Sequence, residues 1–303
     1  MIERVHQVEI GFIVWLQNVA PWLEGPARVL TVAGDELFYL LALPVVYWCI
    51  DRRTGVHLSL ILLLAVWNNA VLKLLFDLPR PFMLDARVSA GVEAGGGGMP
   101  SGHTQNPVAF WGYLIWALRH PLVWAVGLFM LVMVPLSRVV LGVHFPTDLL
   151  GGLVAGLLLL AVFIYLAPDV ERWLGRQGTA MRLAVAVIPA GLLVALAGED
   201  RLALTGGAAL LGMATGFVIE RRWIRFTLSG VALWRRGLVW VAGIGGMALL
   251  LWGLEPAMAA LGEPGQRIGR YTLIGLWGAA GAPALFVALK LLPREPAAQR
   301  APG

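Results

Sequence analysis

A histidine and an aspartate four positions apart, His144 and Asp148, are the residues in this sequence best suited to nucleophilic chemistry. If the local backbone is helical, they share a face and can touch. A carboxylate on one imidazole nitrogen fixes the tautomer and leaves the other nitrogen free as a base or nucleophile. Arg138 precedes them near a predicted membrane boundary, where an arginine needs an anionic partner or an aqueous cavity. A His–Asp hydrogen bond that only anchors a loop is the alternative interpretation.

A second polar cluster, residues 99–105, follows a run of four glycines and precedes an apolar helix. Ser101 is a natural helix N-cap, and Gly102 allows the backbone to approach a ligand closely. Free backbone N–H groups at such a helix start suit an anion, phosphate above all. His103 would lie beside that anion and can carry a proton near neutral pH. An ordinary capped helix start with an interfacial histidine would explain the same residues.

Two cations, Lys73 and Arg80, form the third cluster. Lys73 ends an apolar run, and Arg80 is expected in the loop beyond it, because Pro79 and Pro81 disfavour a continuous helix there. Both could bind an anion, or they could simply anchor the helix at the headgroup level as snorkelling cations do. The four glycines at 95–98 are expected to form either a flexible linker or a mobile rim beside a site.

Long apolar runs are the elements that must position these clusters. Of the 303 residues, 59% are hydrophobic and 14% charged, whereas soluble domains average about a quarter charged residues. A membrane-crossing helix needs about 20 mainly apolar residues. The sequence therefore predicts an all-α, polytopic transmembrane helical bundle. Its spans are expected near 29–50, 55–76, 105–118, 122–140, 147–167, 183–198, 202–219, 237–254 and 271–292, with a short tenth span, or an interfacial helix, at 8–24.

The residues suited to chemistry all fall in the first part of the chain, which defines its expected organisation. We expect a membrane core at 1–167, a polar linker at 168–182, four additional transmembrane helices at 183–292 and a disordered Pro/Ala tail at 293–303. The Gly and Ala content of the additional helices suits close packing. Within the core, four polar residues near membrane depth either line a headgroup pocket or join helices by hydrogen bonds, namely Asp35, Glu36, Asn68 and Asn69.

The distribution of basic residues predicts the orientation. With ten spans, most Lys and Arg residues fall in loops on the side of the two termini, among them Arg52, Arg53, Arg221, Arg222, Arg235 and Arg236. The positive-inside rule then places the C-terminus in the cytoplasm and all three polar clusters on the extracytoplasmic side. Because the cations lie in short loops between apolar runs, they do not indicate a nucleic-acid partner.

The three clusters together resemble the signature of the type 2 phosphatidic acid phosphatase family, which shares its active-site pattern with the vanadium haloperoxidases. That signature reads Lys-x6-Arg-Pro, then Pro-Ser-Gly-His, then Ser-Arg-x5-His-x3-Asp. The sequence matches it in order with Lys73 to Arg80-Pro81, Pro100 to His103, and Ser137-Arg138 to His144 and Asp148. The resemblance covers residues 27–167 and implies a six-helix phosphatase core, outside which the four later spans lie.

The resemblance implies a role for each matched residue. It makes His144 the nucleophile that forms a phosphohistidine, Asp148 its orienting partner, and His103 the acid that protonates the leaving oxygen. The phosphoryl oxygens would be held by Lys73, Arg80, Ser101, the Gly102 amide and Arg138. Three side-chain cations can do work that other phosphatases give to Mg²⁺, and the chain lacks a dense carboxylate cluster. We therefore expect no cofactor and no metal.

These observations predict an integral membrane phosphatase of a bacterial inner membrane, with a lipid phosphate or pyrophosphate as substrate and membrane lipids as partners. Undecaprenyl pyrophosphate, phosphatidic acid, phosphatidylglycerol phosphate and sphingoid-base phosphates are all compatible, because the motifs recognise phosphate and not the lipid tail. The alternatives are a lipid phosphotransferase using the same intermediate, and a non-catalytic transporter or scaffold with a phosphatase-like core. The sequence leaves open whether the chain forms a homo-oligomer.

Overall fold

The computed structural model describes residues 2–295, and helices form most of this range. Thirteen α-helices follow one another there, joined in places by 3₁₀ and π-helical turns: α1 (Ile2–Val19), α2 (Glu24–Thr31), α3 (Glu36–Pro44), α4 (Arg52–Phe76), α5 (Pro81–Leu84), α6 (Gly102–Leu118), α7 (Pro121–Val140), α8 (Pro146–Gly175), α9 (Thr179–Leu196), α10 (Arg201–Ile219), α11 (Leu233–Ala257), α12 (Gly262–Leu276) and α13 (Ala282–Ala288). An isolated bridge between Phe226 and Arg294 is the only β-type pairing among the described residues. The all-α class is confirmed, while most of the tail expected at 293–303 lies outside the described residues.

Helices long and apolar enough to cross a membrane recur along the described chain, which confirms the polytopic bundle. Seven segments qualify: Arg52–Leu84, Pro121–Val140, Pro146–Gly175, Thr179–Leu196, Arg201–Ile224, Leu233–Leu254 and Gly262–Ala288. Pro21–Gly34 and Glu36–Ile50, bent by 52°, make an eighth if they count as one span. Two of the ten expected spans, 8–24 and 105–118, do not qualify, and the reasons differ.

The helix expected at 8–24 is interrupted in the structure. α1 ends before the 3₁₀ turn Pro21–Leu23, because a proline cannot continue the helical hydrogen-bond pattern. One face of α1 is buried and includes the polar side chains of His6 and Glu9, which are 7% and 8% exposed. The opposite face exposes the apolar side chains of Val8, Phe12, Trp15 and Val19. α1 is therefore an amphipathic helix whose buried face includes polar groups, and not a uniformly apolar span.

The helix expected at 105–118 is present but short. α6 has 17 residues and is about 25 Å long, slightly less than the hydrocarbon thickness of about 30 Å. It packs against α7 and is joined to it by a turn at Arg119 and His120, so the two helices form an antiparallel hairpin. His103 at the start of α6 interacts with Arg138 near the end of α7. α6 and α7 therefore extend over a similar depth of the membrane.

The polar stretch expected as a linker at 168–182 is partly helical. α8 continues without a break to Gly175, with Pro168 inside it, and α9 begins at Thr179. Residues 176–178 alone connect the two helices.

One compact unit consists of Met1–Leu40 and Asn68–Ile164. Two apolar clusters in this unit flank the segment 141–145, which connects α7 to α8. The first consists of Ile10, Ile13, Val88, Val139 and Phe145, and the second of Ala27, Leu141 and Val143. Burial of these side chains fixes the segment that carries His144.

The second compact unit consists of Leu41–Trp67 and Tyr165–Gly303. In it, α10 packs closely against α9 and α12. A Cβ atom added at Gly212 would collide with the backbone of Thr272, so the two helices approach closely only because this position is glycine. Gly212 thus serves helix packing, as the composition predicts, whereas a Cβ on Gly191, Gly237 or Gly253 would meet nothing within 4 Å.

Candidate active site

The unit that contains Met1–Leu40 and Asn68–Ile164 holds all eight predicted site residues. They come from the last turn of α4, the residue before α5, the start of α6, the last turn of α7, the segment leading into α8 and the first turn of α8, namely Lys73, Arg80, Ser101, Gly102, His103, Arg138, His144 and Asp148. His144, the candidate nucleophile, interacts electrostatically with four of the others, namely Arg80, Lys73, Arg138 and His103. The structure therefore brings the three clusters together.

The contacts of His144 determine which ring nitrogen carries the lone pair. Nδ1 lies 3.2 Å from Asp148 Oδ2, and Nε2 lies 3.1 Å from the Arg80 guanidinium. A guanidinium can only donate, so Nε2 accepts and is unprotonated, and Nδ1–H donates to Asp148. The same Asp148 oxygen accepts a 2.9 Å hydrogen bond from the N–H of Phe145. Nε2 is therefore the nucleophilic nitrogen, and it faces Arg80.

His144 also has the charge state that a nucleophile requires. Its side chain is 2% exposed. This burial, and after it the neighbouring Arg80 and Lys73 cations, lower the pKa of the His144 imidazole well below its ordinary value of about 6.5. The ring consequently stays neutral at neutral and mildly acidic pH.

The four glycines at 95–98 fold over Arg80 and Lys73. Arg80 donates to the carbonyl oxygens of the first two glycines at 2.8 and 3.1 Å, and Lys73 Nζ donates to those of the last two at 2.5 and 3.2 Å. The run therefore lies against two of the predicted site residues, whereas its role as a mobile rim stays a prediction. An incoming phosphate would compete with these carbonyls for the same donors.

Ser101 is the N-cap residue of α6, as expected, but its hydroxyl makes no capping hydrogen bond. The hydroxyl is buried and has no hydrogen-bond partner among the described residues. Because a buried polar atom without a partner costs free energy, Ser101 Oγ is suited to a ligand oxygen. Next to it, a Cβ added at Gly102 would lie 3.0 Å from Asn69 Oδ1, so a larger residue there would need the Asn69 side chain to move.

Arg138 is anchored at one end of its guanidinium only. Its side chain is buried, and NH1 donates to Thr31 Oγ1 at 2.5 Å. Its Nε is buried without a hydrogen-bond partner in the described structure. An unsatisfied guanidinium N–H favours an anionic ligand. The contact with Arg138 could not be predicted from the sequence, in which Thr31 is a single polar residue within an apolar run.

His103 is paired with a carboxylate from a distant part of the chain. Its Nε2 lies 3.0 Å from Asp35 Oδ1. Of the two roles expected for Asp35, the structure shows the hydrogen bond between helices, since Asp35 precedes α3 and His103 lies in the first turn of α6. The lining of a headgroup pocket stays a prediction. Glu36, the next residue, is exposed.

Asn68 and Asn69 join helices by hydrogen bonds. Asn69 Nδ2 donates to Gln105 Oε1 at 2.8 Å and to the Pro100 carbonyl at 3.2 Å, and Gln105 Nε2 donates to Asn68 Oδ1 at 2.8 Å. These bonds tie the last part of α4 to the start of α6. The amides thereby hold the segment that carries the second cluster against the helix that carries Lys73.

Two residues of α1 support the site and were not predicted from the sequence. The His6 ring stacks on Phe145 with a centroid separation of 4.2 Å, and Glu9 accepts hydrogen bonds from the N–H and hydroxyl of Thr147 at 2.8 and 2.9 Å. Phe145 and Thr147 lie between the nucleophile and its carboxylate partner in the chain. The spacing of His6 and Glu9, one helical turn apart, signals a polar helix face, but it does not identify the segment that this face contacts.

The site groups nitrogen donors around a histidine and holds few carboxylates. Across residues 2–295, no three His, Cys, Asp or Glu side chains are grouped so that they could hold a metal ion. The two carboxylates at the site instead each pair with a histidine, Asp148 with His144 and Asp35 with His103. This arrangement can bind an anion and present it to a nitrogen nucleophile.

Three curated proteins show what this chain is similar to. The "Probable sphingosine-1-phosphate phosphatase" of Dictyostelium discoideum is 26% identical over 51% of this chain and 41% of that protein. A candidate undecaprenyl-diphosphatase, YbjG, of Escherichia coli (strain K12) is 29% identical over 52% of this chain and 80% of that protein. Glucose-6-phosphatase 3 of Bos taurus is 33% identical over 48% of this chain and 49% of that protein. The chain thus spans less than half the length of the first and third relatives.

Two family models match separate parts of the sequence, and no solved structure matches it. The PAP2 superfamily model matches residues 54–172, the range that holds all eight predicted site residues. The model described as "PAP2 superfamily phosphatase, transmembrane extension" matches residues 204–298, which include most of the additional helices. Since both models match in order along one chain, this protein belongs to the PAP2 superfamily.

Proposed function

We propose that this chain is an integral membrane phosphatase that removes the terminal phosphate from a lipid phosphate or lipid pyrophosphate through a phosphohistidine on His144. The observation that carries the proposal is the hydrogen bond from Arg80 to Nε2 of a ring whose Nδ1–H is held by Asp148. It defines a neutral histidine with its lone pair beside a phosphate-binding cation. The relatives named as phosphatases support the reaction class.

In the first step, the Nε2 lone pair of His144 attacks phosphorus, and the bond from phosphorus to the leaving oxygen breaks. Protonated His103 gives its proton to that oxygen, so that the lipid alcohol, or the lipid monophosphate in the case of a pyrophosphate, departs. The phosphorylated ring keeps its Nδ1–H, which remains hydrogen-bonded to Asp148. The carboxylate thereby stabilises the positive charge that the ring acquires.

In the second step, water attacks the phosphorus of the phosphohistidine and gives a proton to His103, which is now neutral. The bond from phosphorus to Nε2 breaks, its electron pair returns to Nε2, and inorganic phosphate leaves. His103 is again protonated and His144 again neutral, so the cycle closes without another reactant.

Charge stabilisation in both steps is assigned to Lys73, Arg80 and Arg138, with the Ser101 hydroxyl and the Gly102 amide as further donors. Phosphoryl transfer depends mainly on positioning and on stabilising negative charge. Both arginines are buried, so their interactions with phosphate are weakly screened by water. We therefore propose a reaction that needs no divalent metal ion.

The membrane-crossing helices support a lipid substrate, with its phosphate at the site and its tails in the bilayer. We place the site on the extracytoplasmic face of a bacterial inner membrane and the C-terminus in the cytoplasm, because most loop cations lie on the side of the C-terminus. The named relatives act on a sphingoid phosphate, a polyprenyl diphosphate and a sugar phosphate, so they define phosphate as the shared group.

The decisive experiment measures phosphate release by the purified, detergent-solubilised protein with EDTA present. The substrates are sphingosine-1-phosphate, phosphatidic acid and undecaprenyl diphosphate, with glucose-6-phosphate as the soluble comparison. His144→Ala removes the proposed nucleophile. His120→Ala is its matched control, because His120 is exposed in the turn between α6 and α7 and its Nδ1 only accepts a hydrogen bond from the N–H of Leu122. Radiolabelled phosphate on the protein, labile in acid and absent from His144→Ala, would identify the phosphohistidine.

We expect release by the wild type and by His120→Ala, and none by His144→Ala. Activity that requires a divalent cation in pure substrate and detergent would contradict metal independence. A labelled protein that loses its label only when an acceptor alcohol is added, with the phosphate recovered as an ester of that alcohol, would establish the phosphotransferase instead. No labelling and no release by folded protein would overturn the proposal.

A further inference from the structure

A break between two helices brings a carboxylate to the second histidine. The segments Pro21–Gly34 and Glu36–Ile50 are bent by 52° relative to each other, and Asp35 lies at the bend with an extended backbone. Its Oδ1 lies 3.0 Å from Nε2 of His103. Because Asp35 is not constrained by helical geometry, its side chain can reach the start of α6.

The backbone next to Asp35 also shapes the position of the ring. A Cβ atom added at Gly34 would collide with the imidazole of His103, so the ring lies directly against the chain at this glycine. The side chain of His103 is 19% exposed, whereas that of Asp35 is 48% exposed. The ring is thus confined on one face and bonded at one nitrogen, while its carboxylate partner keeps contact with solvent.

We propose that Asp35 is the positioning residue for His103, holding the ring by its Nε2 proton and stabilising its protonated form. The inference rests on the proposed function, in which His103 is the general acid. It gives the site two His–Asp pairs with opposite tasks. Asp148 orients a histidine that must be neutral, and Asp35 orients a histidine that must be charged.

The charges around His103 explain why such a partner is needed. Burial above all lowers the pKa of the His103 imidazole, and Arg138 and Arg80 lower it further, whereas the hydrogen bond and the charge of Asp35 raise it without fully offsetting the fall. His144, the other titratable group facing it, is neutral in the tautomer described above and does not compensate the arginines. Without the Asp35 carboxylate, the cations proposed to bind phosphate would also favour loss of the proton from His103.

The pairing assigns the proton that is transferred. In protonated His103 both nitrogens carry hydrogen, and Asp35 holds the one on Nε2. The proton available to the leaving oxygen is then the one on Nδ1, and after transfer the ring is a neutral Nε2–H tautomer still bonded to Asp35. The vacated Nδ1 lone pair accepts a proton from the attacking water in the second step, which restores the starting state.

The test compares Asp35→Asn, Asp35→Ala and the wild type over a range of pH, with thermal unfolding in detergent to verify folding. Each protein is assayed with sphingosine-1-phosphate, whose leaving oxygen needs a proton, and with p-nitrophenyl phosphate, whose leaving group does not. Glu36→Gln is the matched control, because it removes the charge of the adjacent, exposed carboxylate. Asparagine keeps an acceptor for Nε2–H and removes only the charge, whereas alanine removes both.

For Asp35→Asn we expect the alkaline limb of kcat/KM to move to lower pH by about one unit. We expect kcat on the lipid to fall about 10- to 100-fold, and kcat on p-nitrophenyl phosphate to fall much less. Asp35→Ala should show the same shift with a larger loss on the lipid, and Glu36→Gln should behave as the wild type. The shift appears only if Asp35 acts through the charge of His103.

Equal losses on both substrates with an unchanged pH profile would assign Asp35 a structural role and overturn the inference. Unchanged activity of folded Asp35→Asn would overturn it as well. If Asp35→Ala fails to fold, Asp35→Asn alone decides. A wild type that releases no phosphate would instead overturn the proposed function itself, so the two failures are distinguishable.

Discussion

At Nε2 of His144, the hydrogen bond from Arg80 sets both the tautomer and the charge of the ring, because a guanidinium donor requires a lone pair opposite it. When a phosphoryl group enters, Arg80 can transfer this donor to a phosphate oxygen, and the released lone pair then faces phosphorus. Asp148 keeps the Nδ1 proton throughout. One arginine thereby holds the nucleophile in its reactive form and stabilises the charge of the group that it attacks.

The lowered pKa of His144 predicts the acidic limb of the pH profile. The neutral ring is the active form, so kcat/KM should fall as pH decreases through the His144 pKa, with a midpoint below pH 6.5. Lys73→Gln removes one of the cations that lower this pKa, so the limb should move to higher pH. The measurement is kcat/KM against pH for both proteins with one lipid.

Comparing the wild type with Lys73→Gln also separates the ionisation of the protein from that of the substrate. A phosphate monoester has its own second ionisation near pH 6, but that ionisation is the same for both enzymes. The difference between the two limbs therefore reports on the protein. A midpoint above pH 6.5 in the wild type, or identical limbs in the two proteins, would contradict the electrostatic assignment.

At the scale of elements, α1 acts on the chemistry through the segment that it holds. Glu9→Ala removes the buried acceptor of two hydrogen bonds donated by Thr147. We expect a loss of about 1–3 kcal/mol in the free energy of unfolding. A fall in kcat of about tenfold or more should accompany it, because small displacements of reacting groups are costly. Thermal unfolding and kcat are measured on the same preparation.

Glu24→Ala is the control for Glu9→Ala. Glu24 is exposed and pairs with Arg28 on the surface of α2, so its loss should change stability by less than about 0.5 kcal/mol. Glu9→Gln keeps one acceptor oxygen and should be intermediate. A Glu9→Ala protein with unchanged kcat would show that α1 does not position the nucleophile.

The glycine run is a second element whose role can be tested with a pair of variants. A Cβ atom on Gly98 would lie 3.0 Å from the Pro79 carbonyl oxygen and 3.1 Å from Asp148 Oδ2, whereas one on Gly95 would meet nothing within 4 Å. Gly98→Ala should therefore displace the rim or the carboxylate and lower kcat/KM about 10- to 100-fold. Gly95→Ala should stay within about twofold of the wild type. Equal effects of the two substitutions would mean that the run is only a linker.

Local patterns in the sequence predict the helices and the three clusters, because run length and motif spacing are properties of short segments. The supporting contacts are not local. Glu9 lies 138 positions from Thr147, and Thr31 lies 107 positions from Arg138, so only the folded chain shows which polar residues meet. Ser101 illustrates a different limit. Its type and position predict a capping hydroxyl, but the fold buries the hydroxyl without a partner.

At the scale of the whole molecule, the contacts of the proposed site extend beyond the matched family region. The PAP2 superfamily match begins at residue 54, yet Glu9, Thr31 and Asp35 precede it and contact the segment or side chains to which we assign the chemistry. The matched region supplies the groups proposed to touch phosphate. The preceding helices supply the groups that hold them, and these contacts explain why α1 carries buried polar residues.

The orientation of the molecule in the membrane gives the last prediction. Arg87 lies in the loop between α5 and α6, which leads to the start of α6, and His120 lies in the turn at the other end of α6. Both residues are exposed. With the lone Cys49 replaced by serine, Arg87→Cys and His120→Cys each provide a single thiol. In intact cells, a membrane-impermeant maleimide should label position 87 directly and position 120 only after permeabilisation, because loop cations favour the cytoplasm.

Both substitutions are mild enough for the comparison. Arg87 loses an exposed ion pair with Asp85, worth about 0–1 kcal/mol, and His120 loses a helix cap worth about 1 kcal/mol. The reverse labelling pattern would place the proposed site on the cytoplasmic side of the membrane and would leave the proposed chemistry unchanged. Labelling of both positions from outside would show that the hairpin does not cross the bilayer. The lipid would then have to reach the site along the membrane surface, and the depth assigned to α6 from its pairing with α7 would be wrong.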